Sequence, residues 1–222
     1  MATKFDSPPL RPRHVRVVCI SDTHELHRDI DLPPGDILIH AGDLTFFSKC
    51  ASMLLDFDEW LAEQPHRTKI VIPGNHDFAI EAGKGHAIRN ATLLINRGVE
   101  SHRLRIWGSP ITPLSSSAFG MVRSEDRRNI YSRIPTNTDI LITHGPPLGI
   151  LDGEPGSSQH NGCAELAEAV KNLKPKLHVF GHVHTGYGVA RKDDTIFANA
   201  AMFTELGDVD RQPLEFDIPV DE

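Results

Sequence analysis

In 222 residues the sequence has only three cysteines, two tryptophans and two tyrosines. Cys19, Cys50 and Cys163 are odd in number and widely spaced. That excludes a disulfide framework or a thiolate zinc site and points to a reducing, cytoplasmic setting. No apolar run approaches the ~18–20 residues that cross a bilayer, so no membrane role is expected. Residues 1–13 lack the apolar centre of a secretory signal. Pro8, Pro9 and Pro12 make that stretch a flexible tail, with 14–222 expected as a single domain. Basic residues are also short: 23 Lys and Arg against 30 Asp and Glu leave a net charge of −7. Such a balance argues against a broad nucleic-acid surface. No obligate protein partner is indicated either.

What the chain does have is histidine, 13 in all. It also has short β-rich runs at 15–20, 36–39, 69–72, 92–95, 104–107, 139–143, 176–180, 195–198 and 214–218. Several are apolar almost throughout, as strands covered on both faces are. Met53, Leu54, Phe57, Trp60 and Leu61 repeat at helical spacing, as do Leu166, Ala169, Val170 and Leu173. The alternation predicts an α/β fold of two packed sheets with helices outside. Residues 110–138 read as a long loop rich in Ser, Pro and Arg.

Five strands run into polar loops: Ser21-Asp22-Thr23-His24, His40-Ala41-Gly42-Asp43, Gly74-Asn75-His76-Asp77, His144-Gly145-Pro146 and Gly181-His182-Val183-His184. Ligand sites in α/β folds gather beyond the carboxyl ends of strands, so one crevice is expected. Asp22 with His24, and His182 with His184, have the spacing that lets both side chains lean toward one cation. With Asp43, Asn75 and His144 the donors number seven, all nitrogen or oxygen. Seven exceed one tetrahedral ion and suit two metals sharing a carboxylate, for which Asp43 is the best bridge.

In order and type these motifs resemble the calcineurin-like metallophosphoesterases: D-x-H, G-D, G-N-H-D, an isolated His and G-H-x-H. The segments ISDTH, PPGDILIHAGDLT, KIVIPGNHD, DILITHGPPLG and PKLHVFGHVHTGYG are similar to its MPPED-type branch. The resemblance implies a four-layer α-β-β-α sandwich of two mixed sheets. It implies that Asp22, His24, Asp43 and His184 hold one divalent metal (Mn, Fe or Zn) and that Asp43, Asn75, His144 and His182 hold the other. His76 would stand beside the leaving group with Asp77 orienting it, and Asn75 and His76 would touch substrate. The activity implied is hydrolysis of small phosphodiesters such as cyclic nucleotides by a metal-bridging hydroxide. A phosphomonoesterase or protein phosphatase, or a non-enzymatic interaction module, is the alternative. Position 46, where purple acid phosphatases carry an iron-binding Tyr, is Phe46, which disfavours that subfamily. Arg123, Arg127 and Arg128 read as solvated surface, interleaved as they are with Glu125 and Asp126. Trp107 and Phe119 are candidates for stacking a base, although packing is the commoner role.

Overall fold

The computed structural model describes residues 13–47 and 49–220, so all but the last residue of the expected tail lies outside the described residues. Strands β1 (Arg13–Ile20), β2 (Ile37–His40), β3 (Thr68–Val71), β4 (Thr92–Leu93) and β11 (Leu214–Val220) form one sheet, ordered β11-β1-β2-β3-β4. The second sheet contains β5 (Arg97–Ser101), β6 (Leu104–Ser109), β7 (Ile140–Thr143), β8 (Leu177–Phe180), β9 (Gly188–Lys192) and β10 (Thr195–Asn199). Its order is β5-β6-β7-β8-β10-β9. Both sheets are mixed. The inner strands β1-β2-β3 and β6-β7-β8 run parallel, while β11, β5 and β9 pair antiparallel at the edges.

Alternation along the strands decides what each face touches. Val15, Val17 and Cys19 of β1 point between the sheets, with Ile37, Ile39 and Ile70 beside them and Ile106, Ile140, Ile142 and Val179 opposite. Val18 and Ile20 point the other way. There they meet Leu54, Phe57, Trp60 and Leu61 of helix α1 (Ala51–Glu63). On the far side, Leu141, Phe180 and Phe197 pack against Tyr131 of α3 (Ser124–Tyr131) and Leu166 and Val170 of α4 (Ala164–Leu173). A single turn, α2 (Phe78–Glu81), follows the polar loop after β3. The result is the expected four-layer sandwich. Both long helices stop just before a proline. Gln64 is extended ahead of Pro65, and Lys174 is left-handed (φ 49) ahead of Pro175, because the proline ring bars the helical conformation from the residue before it.

Four elements depart from the sequence reading. β5 and β9 are edge strands with largely solvent-facing side chains, so they lack the apolar runs that betray buried strands. The 92–95 strand shrinks to Thr92–Leu93. The supposed loop at 110–138 contains α3, whose Arg127 is not solvated. Its guanidinium is buried against Glu165, with Nε to Oε2 at 2.9 Å, and also donates to the carbonyls of Met121 and Val122. A buried ion pair ties so polar a helix to its neighbour α4. No described helix is long and apolar enough to cross a membrane.

Candidate metal centre

Because β1, β2 and β3 are parallel, and β7 and β8 likewise, their carboxyl ends deliver five loops to one end of the sandwich. The two sheets are stitched together there. The His144 ring donates from Nδ1 to the Ala41 carbonyl at 3.0 Å, and the His182 amide donates to both Asp22 oxygens at 3.1 and 2.9 Å. Asp22, His24, Asp43 and His182 all have positive φ, at 53, 44, 56 and 67°. Non-glycine residues enter that region at a cost of about 1–3 kcal/mol each, and such strain gathers at functional sites. Two glycines make the close approach possible. A Cβ on Gly74 would overlap the Asp43 carboxylate, and one on Gly181 would overlap that of Asp22.

The predicted donors fall into groups. Asp22, His24 and His184 converge, with His184 Nε2 at 3.4 Å from Asp22 Oδ1. Asp43, His144 and His182 form another cluster. Asp43 faces both ways. Its Oδ1 lies 3.3 Å from His144 Nε2, and its Oδ2 lies 3.9 Å from His24 Nε2 and 3.8 Å from His76 Nε2. Asn75 Oδ1 joins the second group at 2.8 Å from His144 Nε2.

Proton bookkeeping shows that this donor set fits cations. With Nδ1–H given to Ala41, the His144 Nε2 lone pair faces two oxygens, Asn75 Oδ1 and Asp43 Oδ1, and all three are acceptors. A positive centre belongs between them, either a proton or a metal ion. His24 is arranged alike, its Nδ1 bonded to the Thr45 carbonyl at 3.3 Å, which leaves Nε2 free to ligate. Two ligand atoms on one ion stand about 3–3.4 Å apart for bonds of ~2.1 Å, close to the shorter separations seen.

The electrostatics agree. Burial pushes both carboxyls up, yet the surrounding imidazoles outweigh it and hold Asp22 and Asp43 below the usual carboxylate range. Burial pulls His144 down, but the charge of Asp43 prevails and raises it to about 9. A cation there must displace that proton. Burial lowers His182 to about 4, leaving it neutral and ready to ligate.

One expected contact is absent. Asp77 does not orient His76, whose Nδ1 has no hydrogen-bond partner. Asp77 instead accepts from the amides of Gly74, Leu44 and Thr45 and from the Thr45 hydroxyl, at 2.7, 3.2, 2.9 and 2.9 Å. It lashes the loop after β2 to the loop after β3. Of the base-stacking candidates, Trp107 packs on the outer face of the second sheet and Phe119 against the α1 side of the first.

His40 and His178 alternate with apolar strand residues, which gives them an interior or supporting role rather than a ligand role, and here each braces a ligand loop. His40 accepts the Gly42 amide at Nδ1, so its Nε2–H donates to Thr23, the residue between Asp22 and His24. The Thr143 hydroxyl is spent on the Gly145 carbonyl, so the His178 Nε2–H donates to Thr143, just before His144. A buried histidine one strand away from a ligand, facing a threonine, was the signal available.

Comparison with known proteins agrees with this geometry. The family model described as calcineurin-like phosphoesterase matches residues 15–186. Metallophosphoesterase domain-containing protein 1 of Homo sapiens is 36% identical over 239 residues, covering 95% of this chain and 73% of that protein. A UPF0046 protein of Caenorhabditis elegans is 35% identical over 234 residues, covering 97% and 80%. Among solved structures, TT1561 of Thermus thermophilus superposes with a TM-score of 0.60 at 13% identity, over 88% of this chain and 90% of that one. This last likeness speaks to the fold alone. The chain belongs to the calcineurin-like phosphoesterase family and is a metal-dependent phosphoesterase.

Two outcomes follow from the geometry. Gly181→Ala should displace Asp22 and lower bound metal by half or more in elemental analysis; full loading would refute the packing argument. Burial lowers His40 and His178 to about 3, so both stay neutral in the folded chain while they protonate near 6.5 when unfolded. Their contribution is complete above pH 6.5 and lost as pH falls toward 3, at about 1–2 kcal/mol each by pH 5. His178→Gln should shrink the urea-measured loss between pH 7.5 and 5 by that amount; an unchanged loss would contradict it.

Proposed function

We propose that this chain hydrolyses small phosphodiesters, cyclic nucleotides among them, at a site holding two divalent cations. The observation that carries the reading is the divergence of the two Asp43 oxygens toward separate donor groups, His24 and His76 on one side and His144 on the other. Asp22, His24, Asp43 and His184 would hold one ion; Asp43, Asn75, His144 and His182 would hold the other. Imidazole, amide and carboxylate donors accommodate Mn, Fe or Zn, and Phe46 offers no phenolate to favour ferric iron. Such ions supply Lewis acidity and make a water nucleophilic near neutral pH.

The protein's own part is to position and to move one proton. The His76 amide donates to Asp43 Oδ1 at 2.9 Å, which fixes the carboxylate that both ions would share. The His76 ring is 18% exposed where His144 is fully enclosed, so its Nε2 can reach a substrate in the crevice. From there it hydrogen-bonds or protonates the departing oxygen. Asn75, beside it, would touch a phosphoryl oxygen. The 110–120 segment closes this side: the Ala118 amide donates to the Asn75 carbonyl at 3.0 Å. A site this small suits a small substrate in the cytoplasm.

Metal-loaded protein assayed with a bis-aryl phosphodiester and an aryl monoester separates the readings. Diester turnover should dominate, and Asp43→Asn should lower it about a hundredfold or more. His76→Ala should lose most on esters with poor leaving groups. Monoester preference would contradict the diester assignment, and near-normal turnover in Asp43→Asn would contradict the two-metal site.

A further inference from the structure

The loop that carries Asp43 continues into two phenylalanines with no cover. Phe46 is 53% and Phe47 54% exposed, and they are the only exposed large aromatics among the described residues. Their position is specific. The Phe46 ring meets His24 edge-on at 5.3 Å and the Phe47 ring at 5.1 Å. Phe47 in turn lies over His76, with centroids 3.9 Å apart, and runs nearly parallel to Phe78 at 6.4 Å. An apolar strip therefore leads from solvent to the two imidazoles that face Asp43 Oδ2.

The strip is held in place on both sides. Thr45 is tied to Asp77 through its amide and hydroxyl, and the Phe46 amide donates to Glu25 at 3.1 Å. Phe47 has a φ of +57°, a conformation that bulky residues avoid and that here keeps its ring over His76. Rigid aromatic faces presented in advance bind flat groups with little ordering cost.

We propose that Phe46 and Phe47 form a subsite for a planar aromatic group attached to the leaving oxygen of the phosphoester. The inference rests on the reading of His76 as the group beside that oxygen, and it deepens it by naming what the oxygen carries. The phosphoryl end lies among the metal donors; the ring lies on Phe47 and against the edge of Phe46. Stacking of a flat ring on an aromatic side chain is worth about tenfold in affinity.

The test compares two non-hydrolysable probes on the metal-loaded protein, benzylphosphonate and ethylphosphonate, in which a methylene replaces the leaving oxygen. Benzylphosphonate should bind about tenfold more tightly. In Phe46→Ser and in Phe47→Gly, the latter chosen because glycine accepts the left-handed backbone, the ratio should fall to within about twofold. Ethylphosphonate binding by each variant reports that it is folded and loaded. Equal affinities in the wild type, or a ratio that both variants retain, overturn the aromatic subsite while leaving the phosphoesterase reading intact. A wild-type dimer that Phe47→Gly dissociates, without any aryl preference, assigns the strip to a second copy of the chain and overturns it too. Failure of both probes to bind the metal-loaded protein overturns the phosphoester site and the subsite together.

Discussion

Two buried carboxylates facing one crevice are the constraint on which the rest depends. Asp22 is fully enclosed and Asp43 only 1% exposed, and each raises the cost of ionising the other. Burying like charges is unfavourable by several kcal/mol unless positive charge is supplied at close range. The protein supplies part of it through imidazole, to the point that His144 holds its proton up to about pH 9. The acceptors converging on His144 Nε2 mark where the remainder belongs. A net charge of −7 thus says little about the crevice itself, where cations turn an acidic cluster into a phosphate site.

Holding those carboxylates together requires a rigid frame. Four of the donor residues have left-handed backbones, and the two-sheet core fixes the strand ends from which they project. Asp77 lashes two of the loops together. His40 and His178 brace two more through threonine hydroxyls, one on each sheet. These neutral, enclosed histidines make no contribution to the chemistry and much to its geometry, because a ligand shifted by an ångström loses its ion. Strain at the site is sustained by apolar packing behind it.

The fold was legible in the sequence wherever burial was two-sided. Runs such as Val17-Val18-Cys19-Ile20 and Ile140–Thr143 are apolar because both faces are covered, and the polar residues after them announced the crevice. The edge strands β5 and β9 and helix α3 were not legible, since their side chains face water or, like Arg127, satisfy burial through a partner distant in sequence, Glu165. All seven candidate donors could be named from the sequence because metal chemistry restricts residue type at fixed spacing, and the structure brings their side chains to one end of the sandwich. The contacts of Asp77 were not. A carboxylate after Gly-Asn-His looks like a partner for that histidine, and only three dimensions reveal amides of the neighbouring loop as its targets. Phe46 was weighed only as lacking a phenolate and Phe47 not at all; their exposure is a property of the folded loop.

The central claim is that one bridging carboxylate joins two separate cation positions, and the most direct measurement is metal stoichiometry. After removal of metal with chelator and reloading with Mn or Zn, elemental analysis should give two ions per chain. A value at or below one per chain would contradict the account.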